Sequence, residues 1–271
     1  MTRSVLVTGA SSGIGLASAL RLARAGWRVY GGVRTTRDAE ALREHGIEPL
    51  ELDVTEAAQI AAAAEIVGPA LHGLVDNAGI AIAAPLELVP LDELRHQLEV
   101  NVVGQLAVLQ AVLPALRQAR GRVVLMGSIG GRSALPFLGP YAASKHALEA
   151  VADSLRVELR PFGVAVSIVE PGSIATPIWR KGADRAQELS ADFEPERAAL
   201  YAHAVARFRE VALSRGLGVD PDVVANAVEH ALTSSRPKAR YLVGRDAHIR
   251  AWIERLPTRL RDRVLTKVLT G

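Results

Sequence analysis

The 271-residue chain is 49% hydrophobic and 23% charged, the balance of an ordinary folded globular protein and not of a disordered one. It has no cysteine, which excludes disulfides, zinc–thiolate sites, iron–sulfur clusters and thiol nucleophiles. The net charge of +3 is modest and local, with seven Lys/Arg against three Asp/Glu in residues 245–267, so the broad basic face that nucleic acid needs is missing.

Short β-branched runs alternate with helical patterns through the first 170 residues, the signature of βαβ units and a parallel sheet. Strands are predicted at Val5-Leu6-Val7, Arg28-Val29-Tyr30, Pro49 to Leu52, Gly73-Leu74-Val75, Arg122 to Met126 and Ala165 to Val169. Helices fall near 14–25, 38–45, 55–67, 91–118 and 141–160. No linker or repeat divides the chain, so residues 1–271 read as one doubly wound α/β domain. With no apolar leader after Met1-Thr2-Arg3 and no uninterrupted bilayer-length apolar stretch, a cytoplasmic location is expected.

Composition shifts between 173 and 219, where four of the eleven aromatics fall: Trp179, Phe193, Tyr201 and Phe208. So long a connection reads as a substrate lid with its own helices, mobile over 177–215. Ile178, Trp179 and Phe137 would line an apolar pocket, and Gly182 would allow movement. A helix (Pro221 to Thr233) and a strand (Tyr241-Leu242-Val243) follow. In residues 246–269, Pro257 should split two short amphipathic helices, one presenting Ile249, Trp252, Ile253 and Leu256, the other Leu260, Val264, Leu265 and Val268. Their apolar faces would go onto the substrate cleft, onto a neighbouring subunit, or weakly into a membrane surface.

The chain carries Thr8-Gly9-Ala10-Ser11-Ser12-Gly13-Ile14-Gly15 between its first strand and first helix. Its glycines permit positive φ and close approach, while the helix N-terminus offers free N–H groups to a pyrophosphate. The second strand should then present an acid to an NAD ribose, yet nineteen residues after Gly15 stands Arg34, followed by Thr35, Thr36 and Arg37. That group suits a 2′-phosphate, which favours NADP(H). Asp53-Val54 and Asn77-Ala78-Gly79 end the third and fourth strands, where such sheets bind ligands, and Asp53 could accept from adenine.

Tyr141 and Lys145 lie four apart behind Pro140, on one face of a helix, and Ser128 ends a strand thirteen residues before Tyr141. An ammonium beside a phenol stabilises the phenolate and brings proton transfer within range near neutral pH. The seven histidines show no metal-ligand spacing, and Gly127-Ser128-Ile129-Gly130 lacks the glycine of a hydrolase elbow.

These pieces, TGASSGIG at 8–15, LDV at 52–54, DNAG at 76–79, NVVG at 101–104, the Ser128 strand end, YAASK at 141–145 and PGSIATP at 171–177, resemble the short-chain dehydrogenase/reductase family over nearly the whole chain. The segment 126–155 is similar to its steroid and retinol dehydrogenase branch. The resemblance implies a Rossmann-like fold with a sheet of about seven parallel strands. It also implies Tyr141 as acid/base, Lys145 on the nicotinamide ribose and lowering the phenol's pKa, Ser128 polarising the substrate oxygen, and Asn101 positioning a water relay. Pro171, Gly172, Ile174 and Thr176 would meet the cofactor, Thr176 on its nicotinamide side. A homodimer or homotetramer through the helices at 91–118 and 141–160 is implied as well. Asp76 departs from the pattern, standing where many relatives have Asn. The expected activity is hydride transfer between NADP(H) and a small apolar alcohol or carbonyl; a nucleotide-binding scaffold without turnover is the competing class.

Overall fold

The computed structural model describes residues 2–214 and 218–270, with no side-chain description for 211–214 and 268–270. Residues 215–217 of the expected lid, and the side chain of Val268, lie outside the described residues.

Seven strands form one parallel sheet: β1 (Ser4–Val7), β2 (Arg28–Val33), β3 (Glu48–Glu51), β4 (Gly73–Asp76), β5 (Arg122–Met126), β6 (Ala165–Pro171) and β7 (Arg240–Val243). Their order is β3-β2-β1-β4-β5-β6-β7, so the direction in which successive strands are added reverses between β1 and β4. Ligands bind at the carboxyl ends of strands at such a switch point.

Alternation along the strands divides the core in two. Leu6, Leu74, Val123, Leu125 and Ile168 point to one face. There they meet α3 (Ala57–Val67), α5 (Gln105–Ala119) and α6 (Gly139–Glu158). Val5, Val7, Val75, Val124 and Val169 point to the other, against α1 (Gly13–Arg24), α2 (Thr36–Arg43) and α9 (Pro221–Thr233). Burying side chains on both faces is what lets a parallel sheet read as near-continuous apolar runs.

The helix predicted at 91–118 is three pieces: α4 (Leu91–Leu98), a π-helical segment Glu99–Gly104, and α5. Asn101 sits inside the π segment, a distortion that often marks functional sites. The run Leu91–Ala119, though interrupted by charged residues, is long and apolar enough to cross a membrane by length and composition. Its Val108, Leu109, Val112 and Leu116 are packed in the core.

The excursion after β6 contains α7 (Pro177–Ser190) and α8 (Pro195–Ser214). Beyond β7 the chain forms α10 (Arg245–Ile253) and α11 (Thr258–Thr270), with Pro257 at the break where its fixed φ and missing N–H end a helical pattern.

Candidate active site

The turn from β1 to α1 forms a cradle at the switch point. Gly9 and Gly13 have φ of 63° and 57°, and a Cβ on Gly15 would overlap the Gly9 carbonyl. Ser12 precedes α1 in extended geometry without a side-chain cap, which leaves the first helical N–H groups, in the Ser11-Ser12-Gly13-Ile14 stretch, for a ligand. Thr176 closes the cradle, since a Cβ on Gly13 would stand 3.0 Å from its methyl. The Pro171 to Thr176 loop is itself held: Gly172 N donates to Val243 O at 2.8 Å, Ser173 N and Oγ donate to Asp246 at 2.7 and 2.9 Å, and Ile174 is buried.

At the end of β2 the exposed Arg34 reaches Asp53 at 3.5 Å. Asp53 Oδ1 accepts from Thr55 N and Oγ1 at 3.0 and 2.8 Å. Burial works against ionisation of Asp53, but the Thr55 bonds and the Arg34 guanidinium together hold its carboxyl below the ordinary range. Val54 packs on the π turn, where a Cβ at Gly104 would meet its carbonyl at 2.6 Å. A glycine cradle, a helix N-terminus and an exposed cation with no acid at the β2 end fit a phosphorylated dinucleotide.

Thr8 joins β1 to β4. Its Oγ1 donates to Asp76 Oδ1 at 3.0 Å and accepts from Asn77 N and Ala78 N at 2.8 and 2.9 Å. Asn77 Nδ2 donates to Thr8 O and Gly9 O, tying the turn before Gly79 to the cradle. Asp76 Oδ2 is buried without a hydrogen-bond partner. Burial pushes the Asp76 carboxyl up to about 8, with the Thr8 bond and Lys145 opposing.

Ser128, Tyr141 and Lys145 come together at the carboxyl end of β5. Ser128 Oγ accepts from Gly130 N at 3.0 Å, and its hydroxyl favours the ionised form of the Tyr141 phenol. Lys145 Nζ donates to Met126 O at 2.7 Å and lies 5.8 Å from the Tyr141 ring. Burial lowers Lys145 to about 8, with Asp76 opposing. The resemblance implied that Lys145 depresses the phenol. Here burial raises Tyr141, while Ser128 and Arg250 pull it the other way. The ammonium is aimed at a main-chain carbonyl, which explains the difference.

Asn101 is a clasp. Its Oδ1 accepts from Ile80 N at 2.8 Å, and Nδ2 donates to Ile80 O and Ser144 Oγ, both at 3.0 Å. With both amide hydrogens given to protein, the side chain joins the 80–82 loop to α6.

The lid lies over the phenol. Trp179 of α7 meets Tyr141 edge-on at 5.5 Å, with the half-buried Ile178 beside it, and Phe137 meets Phe208 of α8 at 5.6 Å. Phe137 has φ of 66°, a left-handed backbone uncommon for a bulky side chain, so strain is stored at the pocket rim. Exposed ion pairs moor the lid: Arg185 to Glu93, and Arg197 to Glu87 at 3.1 Å. Gly182 is not a hinge. It is buried inside α7, where a Cβ would come 2.6 Å from Ala81 O, so close packing dictates the glycine.

The short chain dehydrogenase family model matches residues 3–187. The chain belongs to this family. It is an oxidoreductase, as its relatives are. The Escherichia coli protein named uncharacterized oxidoreductase YbbO is 35% identical, covering 100% of this chain and 95% of the relative. Retinol dehydrogenase 5 of Mus musculus is 38% identical over 98% of this chain and 88% of its own length. A short chain dehydrogenase from Burkholderia cenocepacia, solved in complex with NADP, superposes with a TM-score of 0.76 at 27% identity, covering 100% of this chain and 98% of that one.

Within this short-chain dehydrogenase, the sequence reading missed the residues that brace the site. Gln97 holds Ile82 N and Ile80 O, each at 2.8 Å, and Gln105 Nε2 donates to Ala78 O at 2.7 Å. Ser144 Oγ donates to Tyr141 O at 2.7 Å. All three are fully buried polar residues, and polar residues on otherwise apolar helix faces were the available signal.

Proposed function

We propose that the protein catalyses NADP(H)-dependent hydride transfer between the nicotinamide and a small apolar alcohol or carbonyl, such as a steroid, a retinoid or another hydrophobic ketone or aldehyde. The observation that carries the reading is the buried Ser128–Tyr141–Lys145 group beneath the Trp179 ring. Two buried hydroxyls lie there, with the Trp179 ring edge-on to the phenol.

When bound, the nicotinamide supplies or accepts the hydride. The 9–15 loop would hold the pyrophosphate, Arg34 the 2′-phosphate, Asp53 and Val54 the adenine side, and Asn77, Ala78 and Gly79 the opposite wall. Pro171, Gly172, Ile174 and Thr176 would hold the nicotinamide side. In the reducing direction Ser128 donates to the substrate oxygen and steadies the charge that develops there, and Tyr141 delivers the proton. The Lys145 ammonium stabilises the resulting phenolate, and its move from Met126 O toward a ribose hydroxyl would bring it nearer to that oxygen. Asn101 sets the position of α6 through Ser144.

The scaffold alternative is disfavoured because the matched family and the relatives are oxidoreductases, and Ser128, Tyr141 and Lys145 gather at the end of β5. Retinol dehydrogenase among the relatives supports an apolar substrate. The proposal includes assembly as a homodimer or homotetramer, for which the exposed Val157 near the end of α6 is a suitable contact.

A cofactor-oxidation screen with NADPH across ketosteroids, retinoids, aliphatic aldehydes and sugars tests the reading. Turnover with an apolar member is expected; turnover only with sugars, or with nothing at all, would overturn it.

A further inference from the structure

The C-terminal segment leaves an apolar stripe in solvent. Ile249 and Trp252 on α10, Leu256 in the turn, and Leu260 and Val264 on α11 recur every three or four residues, with 51, 69, 37, 45 and 37% of their surfaces exposed. A row of cations follows the same spacing one side over: Arg255, Arg259, Arg263 and Lys267, all exposed. None of the four has a carboxylate partner among the described residues, and Arg255 lies 5.0 Å over the Trp252 ring. The neighbouring Arg261 is different, being neutralised by Glu254 at 2.9 Å and Asp262 at 3.3 Å.

That inner side borders a cavity of about 440 Å³ lined by Leu86, Leu135, Pro136 and Phe137 from the pocket rim and by Arg261 and Leu265 from α11. One side of the segment therefore closes on the rim, and the other carries apolar groups beside unneutralised cations.

We propose that this outer face is a docking surface for an anionic phospholipid bilayer, with Trp252, Leu256, Leu260 and Val264 entering the headgroup boundary and Arg255, Arg259, Arg263 and Lys267 meeting the phosphates. A helix with an apolar stripe and a basic flank lies in the plane of such an interface. A tryptophan with a cation over its ring suits that depth, having an apolar body and a polar edge. A second copy of the chain is the poorer occupant. A two-fold contact would set the same patch, with its seven Lys/Arg against three Asp/Glu over 245–267, on itself. That the docked face would stand beside the mouth for an apolar substrate rests on the function proposed above; the binding itself does not.

The test is co-sedimentation of the full chain with phosphatidylcholine vesicles, with and without phosphatidylglycerol. Binding is expected only with phosphatidylglycerol and should weaken as salt is added. Arg259→Glu with Arg263→Glu, and separately Trp252→Ser with Leu260→Ser, should each weaken it by about tenfold or more. Circular dichroism checks the fold of both variants; should the apolar pair unfold, the charge pair alone gives the reading. Equal binding to neutral vesicles, no binding to either, or variants that bind like the parent would overturn the proposal. So would a parent dimer that the apolar pair converts to monomers in sedimentation velocity while vesicles bind neither form.

Discussion

Asp76 and Lys145 are buried together, the carboxyl at the end of β4 and the amino group on the Met126 carbonyl at the end of β5. Each resists ionisation because of burial and is partly relieved by the other. A buried pair of this kind is costly to break by deleting one partner and cheap to neutralise by proton exchange.

The pair makes stability depend on pH. Asp76 ionises near 3.8 in the unfolded chain and near 8 in the fold, so between those values the folded state holds a proton that the unfolded state has released. Stability contributed by this group is complete below the lower value and is lost as pH rises through the upper one. Lys145 runs in the opposite sense, losing stability as pH falls from 10.5 through about 8. Asp76→Asn should therefore remove the decline in Tm from about pH 5 to about pH 8, several degrees in the parent. Parallel Tm curves for parent and variant would show that Asp76 does not titrate as described.

Gly182→Ala separates packing from hinging. The added methyl meets Ala81 O, so Tm should fall with a cost of about 1–3 kcal/mol. A variant of parental stability with altered product release would restore the hinge.

Arg34→Asp should narrow the preference for NADPH over NADH by about tenfold or more, because repulsion replaces a charge-assisted bond at the 2′-phosphate. Titrations of both cofactors against both proteins measure it. Equal affinities in the parent would leave Arg34 as no more than the partner of Asp53.

Trp179→Ala takes away the ring over Tyr141 and should raise KM for apolar substrates by about tenfold, with a smaller change in kcat. Steady-state kinetics on one apolar and one small polar carbonyl decide it. Equal losses on both would mean that Trp179 positions Tyr141 and does not bind substrate.

The strands were legible because apolar residues buried on both faces of a parallel sheet leave compact β-branched runs. The glycine cradle, Arg34, Ser128, Tyr141 and Lys145 were legible because chemistry ties each to a fixed place on a strand end or helix face. What stayed hidden depends on neighbours distant in sequence. The π turn at Asn101 has ordinary helical periodicity, so nothing in residues 91–118 separates it from α4 and α5. Gly182 looks like a hinge until Ala81, a hundred residues earlier, is set against it. The Thr8, Gln97, Gln105 and Ser144 bonds join loops that only the folded sheet brings together. The direction of the Lys145 ammonium likewise follows from where β5 ends.

The most direct test of the proposed chemistry is single-turnover hydride transfer from NADPH by Tyr141→Phe, followed at the nicotinamide absorbance with an apolar carbonyl found in the screen. The ring still packs under Trp179 while the transferable proton is gone. Cofactor affinity should be retained and the rate should fall by about a thousandfold or more. A rate near that of the parent would contradict the assignment of Tyr141 as the proton donor.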